Sequence, residues 1–181
     1  MRVFISVNLS KEICSHLYEL QQRLRKDINA KIKWVPKSQL HITLKFLGSI
    51  DGNKLKEVKI ELSKIKYNKF ILNLNDFGVF PSINYARVLW IGVNEEKLVL
   101  ELQKSIDGEL LDLFPKEEKF SAHITLGRIK VIKDKDKFKN ALNKIKTEKK
   151  SFEINEFTLM ESILRKDGAI YNVLEVYKLS R

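Results

Sequence analysis

The chain has 181 residues, of which 44% are hydrophobic and 31% are charged, proportions typical of a globular protein. No apolar run approaches the roughly 20 residues of a membrane span, and the apolar start of the chain is too short and interrupted for a signal peptide. The only cysteine, Cys14, excludes an intramolecular disulfide and a cysteine-based metal site. We therefore expect a cytoplasmic protein that does not associate with membranes.

The charge balance is basic. Lysine and arginine number 34 against 23 acidic residues, which gives a net charge of +11 and favours a polyanionic partner such as nucleic acid. Lysine-rich surfaces also occur in thermophilic lineages, and here the lysines are dispersed among acidic residues. The charge alone therefore leaves nucleic-acid binding and an ordinary solvated surface equally open.

The first two predicted elements are a strand and a helix. Alternation over residues 2–9 predicts a strand. One face would carry Val3, Ile5, Val7 and Leu9, and the other Arg2, Phe4, Ser6 and Asn8. Ser10 is the predicted N-cap of a helix to about Ala30, with an apolar stripe of Ile13, Leu17, Leu20 and Leu24.

The rest of the chain continues to interleave strands and helices. In chain order we predict an extended piece at 34–36, a strand at 40–47, a helix at 53–66, strands at 69–77 and 86–94, a helix at 95–113, a strand at 120–131, a helix at 134–146, and strands at 152–165 and 170–179. This order indicates a mixed α+β fold.

The tetrapeptide His-Ile-Thr-Leu occurs twice, at 41–44 and 123–126, and contains two of the three histidines. Such a repeat indicates a duplicated unit. Because side chains alternate along a strand, His41, Thr43 and Lys45 are predicted on one face. The core face would carry Leu40, Ile42, Leu44 and Phe46. In the second copy, His123 and Thr125 likewise share a face.

The repeated histidines and threonines suggest phosphate chemistry. Histidine titrates nearest to neutrality, so two facing imidazoles can supply an acid and a base together. Each neighbouring hydroxyl could hold a phosphate oxygen. A half-solvated strand explains one His-x-Thr equally well, but the identical repeat argues against that explanation. Two histidines without clustered Asp, Glu or Cys make a poor metal site.

Further segments accompany the two motifs. They are Arg2–Ile5, Trp34–Val35, Leu40–Gly48, Phe77–Pro81, Arg87–Gly92, Phe120–Arg128, Glu161–Leu164 and Gly168–Tyr171. With these segments the chain resembles, almost end to end, the 2H phosphoesterase superfamily. Within it the chain is similar to the RNA 2′,3′-cyclic phosphodiesterases, first described as 2′-5′ RNA ligases.

The resemblance implies both fold and activity. The expected fold is one domain over residues 1–181, with two intertwined, pseudo-symmetric lobes, each a mainly antiparallel sheet with outer helices, around a cleft that holds both motifs. The implied activity is hydrolysis of a 2′,3′-cyclic phosphate to a 2′-phosphate without metal or nucleotide cofactor, and reversible ATP-independent 2′-5′ ligation could accompany it. The expected partners are RNA ends or nucleotides with a cyclic phosphate, tRNA fragments among them, and we expect a monomer.

The resemblance also assigns roles to residues. His41 would be the proton donor and His123 the proton acceptor, with Thr43 and Thr125 bound to the non-bridging oxygens. Phe4 and Arg128 would flank the base, and Arg128 or Lys45 would add positive charge near the phosphate. Phe4 could equally be packed between the lobes. The alternative function is a non-catalytic module that binds RNA ends in the same basic cleft.

Overall fold

The computed structural model describes residues 1–166 and 168–180, which form nine β-strands and four α-helices and confirm the predicted α+β class. In chain order these are β1 (Arg2–Asn8), α1 (Lys11–Asp27), β2 (Ala30–Trp34), β3 (His41–Ser49), α2 (Gly52–Ser63), β4 (Phe70–Phe80), β5 (Val88–Val93), α3 (Glu96–Glu109), β6 (His123–Ile132), α4 (Lys135–Lys144), β7 (Ser151–Ile154), β8 (Glu156–Arg165) and β9 (Gly168–Lys178). None of the helices in these residues is long and apolar enough to cross a membrane.

Short polar side chains begin three of the helices. The hydroxyl of Ser10 accepts a hydrogen bond from the Ile13 N–H at 3.3 Å, which confirms the predicted cap of α1. Asp51 and Asp134 cap α2 and α4 in the same way. Such caps satisfy N–H groups that have no partner within the helix. The predicted apolar stripe of α1 is fully buried.

The strands form one sheet in the order β7-β4-β5-β6-β3-β1-β8-β9, with β2 added beside β6. Every pairing between these strands is antiparallel. We call β9-β8-β1-β3 lobe A, and β6-β5-β4-β7 with β2 lobe B. The two lobes join where β3 meets β6, through a single paired position, Ile42 with Ile124.

Helices α1 and α3 each follow a strand of one lobe in the chain but pack against the other lobe. Helix α1 follows a strand of lobe A, yet it packs against α4 and reaches β6 of lobe B through Gln21. Helix α3 follows a strand of lobe B, yet it contacts α2 and β3 of lobe A. Each motif strand therefore rests on a helix that comes from the other repeat.

Two predicted elements differ from the structure. The single strand predicted over 152–165 is divided at Asn155: β7 pairs with β4 in lobe B, whereas β8 pairs with β1 in lobe A. The extended piece predicted at 34–36 shares only Trp34 with strand β2, which begins at Ala30 and pairs with β6. In both cases the partner strand is distant in sequence, so local periodicity carries no signal for it.

The predicted polar face of β1 is exposed only at its two ends, Arg2 and Asn8. Its middle residues, Phe4 and Ser6, are as buried as Ile5 between them, so both faces of the strand are covered there. The Ser6 hydroxyl is satisfied by the hydroxyl of Thr158, 3.0 Å away.

Candidate active site

The junction of the lobes brings the two motifs together. An antiparallel register that pairs Ile42 with Ile124 sets His41 opposite Thr125 and Thr43 opposite His123. Both isoleucines are fully buried, so the alternating histidines and threonines lie on the other face of the sheet. The four polar side chains therefore form one cluster around a local two-fold axis.

Backbone carbonyls orient both imidazoles. Nδ1 of His41 lies 2.7 Å from the Gln39 carbonyl oxygen, and Nδ1 of His123 lies 2.8 Å from that of Ser121. Because a carbonyl can only accept, each Nδ1 carries the hydrogen, and Nε2 is left to exchange a proton. In His41, Nε2 is 3.0 Å from Oγ1 of Thr43.

The two histidines titrate in different surroundings. Burial lowers the pKa of His41 most; its backbone hydrogen bond opposes this change, and the nearby charge of His123 lowers the pKa further. Burial also lowers the pKa of His123, but here both the backbone bond and the Glu96 carboxylate act to raise it. Glu96 is held close by the Ala122 N–H, which donates to its Oε1 at 3.0 Å.

Aromatic rings enclose His41 within lobe A. The ring centroids of Phe4 and Tyr171 lie 5.2 and 5.6 Å from that of His41. Phe4 has only 3% of its surface exposed, so its ring supports the imidazole and has no face free to stack on a base. The expectation that Phe4 stacks directly on a nucleobase is therefore wrong. Phe4 is packed, but its ring partners His41, Phe46 and Tyr171 all belong to lobe A rather than to both lobes, so the alternative of packing between the lobes is also wrong.

A different pair of rings encloses His123 within lobe B. Phe80 meets the imidazole edge-on at 5.0 Å, and the Trp90 ring lies 6.1 Å away. Trp90 can occupy this position because Gly78 is directly across from it. A Cβ at Gly78 would lie 2.1 Å from Cζ2 of Trp90. Neither ring, nor their dependence on this glycine, was predicted from the sequence.

A β-bulge after the first motif reverses the predicted alternation. Ser6 pairs with Thr43 and Ile5 pairs with Lys45, so Leu44 is the extra residue of the bulge. Lys45 consequently points to the core and is only 4% exposed. The prediction that Lys45 shares the face of His41 and Thr43, and could contact the phosphate, is wrong.

Lys45 instead belongs to a buried network. Its Nζ lies 2.5 Å from Oδ1 of Asp107 on α3 and donates to the Pro115 carbonyl at 2.7 Å. The other carboxylate oxygen of Asp107 accepts from Gln103 and from the Glu117 N–H. Burial tends to raise the pKa of Asp107, but these hydrogen bonds and the lysine charge outweigh it and lower that pKa. The network ties the first motif strand to the segment that leads to the second motif.

The second motif has an equivalent bulge, at Leu126, because β5 pairs successive residues with Thr125 and Gly127. Arg128 therefore returns to the face of Thr125 and is exposed. Without the bulge, Arg128 would lie on the core face with Ile124 and Leu126.

The residue equivalent to Arg128 in the first motif is Phe46, which is 69% exposed although it was predicted in the core. Since β3 and β6 run antiparallel, Phe46 and Arg128 lie towards opposite ends of the motif cluster. The buried Phe4 pairs with Phe46. The structure therefore does not bring Phe4 and Arg128 to the two faces of one base.

The cluster offers hydrogen-bonding and proton-transfer groups. Within residues 1–166 and 168–180, His, Cys, Asp and Glu form no group of three or more that could hold a metal ion. Two Nε2 atoms that can exchange a proton and two threonine hydroxyls, with Arg128 exposed on the same face of β6, suit an anionic substrate that needs an acid and a base.

Solved structures of other proteins share this arrangement of strands and helices. A structure from Thermus thermophilus superposes with a TM-score of 0.78 at 26% identity, covering 98% of this chain and 97% of the other. The apo structure of Escherichia coli LigT, 22% identical, shares the fold with a TM-score of 0.80 over 99% and 98% of the two chains. LigT has also been crystallised with 3′-AMP.

Curated relatives match over nearly their full length. The RNA 2′,3′-cyclic phosphodiesterase of Methanocaldococcus jannaschii is 37% identical over 97% of this chain and 99% of its own. That of Methanothermobacter thermautotrophicus is 32% identical over 99% of both chains.

The family model described as LigT-like phosphoesterase matches twice, over residues 7–90 and 91–171, so that each match contains one His-Ile-Thr-Leu motif. Together with the relatives that match almost end to end, this double match shows that the chain belongs to the LigT-like phosphoesterase family.

Proposed function

We propose that the protein is an RNA 2′,3′-cyclic phosphodiesterase, which opens a terminal cyclic phosphate and leaves a 2′-phosphomonoester. The observation that carries the proposal is the pair of imidazoles, each with Nδ1–H fixed on a carbonyl, so that Nε2 is the nitrogen left for proton exchange. Membership of the family and the names of its curated relatives support the same substrate class.

The proposed reaction is an in-line displacement at phosphorus. Neutral His123 accepts a proton from the attacking water through Nε2, while protonated His41 donates one to the 3′ oxygen as the bond between that oxygen and phosphorus breaks. The hydroxyls of Thr43 and Thr125 donate to the non-bridging oxygens, whose negative charge grows in the transition state. The contact between Thr43 and His41 Nε2 supports the geometry, because one phosphate could reach both groups.

We assign the nucleoside to the Arg128 end of the cluster. A guanidinium can stack on a base and also attract phosphate, and Phe80 pairs with Val88, the residue of β5 that pairs with Arg128. The local two-fold axis supplies a matched control, because Phe46 is the equivalent exposed residue at the other end. Arg128→Ala should raise KM for a cyclic mononucleotide several-fold, whereas Phe46→Ala should leave it nearly unchanged. The opposite result would place the nucleoside at the Phe46 end of the cluster.

The central test is hydrolysis of a 2′,3′-cyclic mononucleotide in the presence of a chelator, with the product identified by phosphorus NMR. We expect a 2′-phosphate, formed at a rate that the chelator does not reduce. A protein that binds RNA ends tightly yet releases no phosphomonoester would instead be a binding module, and activity restored only by a divalent metal would contradict the proposed mechanism. The same geometry run in reverse would join a 2′-hydroxyl to a cyclic phosphate without ATP.

A further inference from the structure

Beyond the second motif, strands β2 and β6 form a ribbon with exposed basic side chains. Lys33 on β2 pairs directly with Arg128 on β6, Lys31 is paired two residues further along, and Lys130 lies in a bulge between these positions. All four are exposed. Neither strand contains an acidic residue. We call Lys31, Lys33, Arg128 and Lys130 the basic strip.

Among residues 1–166 and 168–180, no ion pair compensates the charge of the basic strip. Some exposed lysines elsewhere pair with carboxylates, as Lys69 does with Glu153 at 3.0 Å and Lys144 with Asp27 at 3.3 Å. None of the ion pairs formed by residues 1–166 and 168–180 includes a member of the strip. Adjacent like charges repel one another, so this arrangement is stabilised when a polyanion covers it.

The basic strip is continuous with the catalytic cluster. It begins at Arg128, on the face that carries Thr125, and it reaches Lys130 roughly 20 Å along the strand from His123. Gly127 allows β2 to approach this closely, since a Cβ there would lie 2.5 Å from Cγ2 of Ile32. The strip also borders the β8–β9 hairpin, because a Cβ at Gly168 would lie 3.6 Å from Nζ of Lys33.

We propose that the basic strip binds the ribose-phosphate backbone of the RNA strand on the 5′ side of the terminal nucleotide. The inference rests on the proposed function, which puts the terminal phosphate between the histidines and the nucleoside beside Arg128. Because the preceding phosphates are covalently linked to that nucleoside, they must lie near Arg128. The basic side chains of β2 and β6 extend in one direction from there, away from the cluster. The strip therefore favours oligonucleotides over mononucleotides without reading base sequence.

The test compares two substrates with the same terminal group, a 2′,3′-cyclic mononucleotide and an oligoribonucleotide of about ten residues that ends in a 2′,3′-cyclic phosphate. In the unmodified protein KM should be lower for the oligonucleotide, and that advantage should shrink with salt. Each phosphate contact should cost about 2- to 3-fold in affinity between 50 and 200 mM salt.

Charge reversal at the far end of the strip should change KM for the oligonucleotide and not for the mononucleotide. Lys31→Glu combined with Lys130→Glu should raise KM for the oligonucleotide about tenfold. The slope of log KM against log salt concentration should fall by about 1.4, because two phosphate contacts are lost. KM for the mononucleotide should stay within about twofold. A Lys31→Gln and Lys130→Gln pair should show a smaller effect in the same direction, and it guards against misfolding of the reversed variant.

The matched control is Lys56→Glu with Lys139→Glu, on α2 and α4. Both lysines are exposed, and neither forms an ion pair with another residue in the described part of the chain. This pair changes the net charge by the same amount and should alter neither KM. Equal effects of the two charge reversals, or no oligonucleotide advantage in the unmodified protein, would overturn the inference.

The proposed function and the strip can fail separately. If the unmodified protein does not open the cyclic mononucleotide, the proposed function is wrong. Fluorescence anisotropy with the same oligonucleotide then still measures binding, and equal affinities of the strip variant and its control would overturn the strip as well.

Discussion

The His41 half and the His123 half of the site share a framework but differ in what surrounds it. In both halves Nδ1 donates to a carbonyl two residues earlier, and a leucine bulge follows the threonine. A buried glutamine lies the same number of residues before each motif, Gln21 and Gln103. The repeated sequence therefore builds two equivalent imidazole supports.

The surroundings of these supports are not equivalent. Beneath the first bulge Lys45 is paired with Asp107, whereas beneath the second the equivalent residue is Gly127, and Gln21 donates to the Leu126 carbonyl at 2.9 Å. A carboxylate, Glu96, acts on His123 alone. Two copies of one motif can therefore place their histidines in different electrostatic surroundings through neighbours outside the motif.

Removing either imidazole should have the largest effect on activity. His41→Ala and His123→Ala should each lower kcat by about 100-fold or more, because general acid and general base catalysis each contribute roughly 10²–10⁴-fold. Single-turnover hydrolysis of a cyclic mononucleotide measures both. If one variant kept most of its activity, only one half of the site would be catalytic.

Breaking the buried ion pair between Lys45 and Asp107, which only the His41 half contains, should lower the stability of the protein. Lys45→Met leaves the Asp107 carboxylate buried without its cation, which should lower the free energy of unfolding by about 3–5 kcal/mol. Urea denaturation measures the change. The matched control, Lys45→Met with Asp107→Leu, removes both charges and should recover much of the loss. If Lys45→Met were as stable as the parent protein, the Lys45–Asp107 pair would not anchor the first motif.

A methyl group at Gly78 should disturb only the His123 half. Gly78→Ala places a Cβ inside the contact distance of the Trp90 ring, and such overpacking typically costs about 1–3 kcal/mol. Since Trp90 packs beside His123, kcat should fall as well. Gly108→Ala, at a position with open space around it, is the control. Unchanged kcat in Gly78→Ala would mean that Trp90 does not position the imidazole.

The smallest expected effect is a shift in pH dependence. The profile of kcat/KM should be bell-shaped, because one histidine must be neutral and the other protonated. Burial lowers the pKa of both histidines, so both limbs should lie on the acid side of ordinary histidine titrations. At high pH the rate falls as the acid loses its proton, and at low pH it falls as the base gains one.

Glu96→Gln identifies which limb belongs to His123. The carboxylate raises the pKa of His123, so its removal should lower that pKa, while a glutamine oxygen can still accept from the Ala122 N–H. If His123 has the lower pKa of the pair, the acid limb alone moves to lower pH. Movement of the alkaline limb would instead show that His123 has the higher pKa of the two histidines.

The sequence contained enough information to predict most of the secondary structure and the shared face of each His-x-Thr pair. The cap and the apolar stripe of α1 are local patterns, and they were predicted correctly. The identical His-Ile-Thr-Leu copies indicated two equivalent strands because alternation within three residues is fixed by backbone geometry. Repetition also distinguished the motif from an ordinary half-exposed strand.

Only the tertiary structure decided which residues surround that cluster. Bulges at Leu44 and Leu126 exchange the faces of the residues that follow, so Lys45 is buried and Phe46 is exposed, against the predicted alternation. A bulge is set by the register between distant strands, and one extra residue moves every later side chain to the other face. The sequence by itself therefore determined the four groups proposed for the chemistry. Long-range strand pairing determined which aromatic rings and charged side chains surround these groups, and where the basic strip lies.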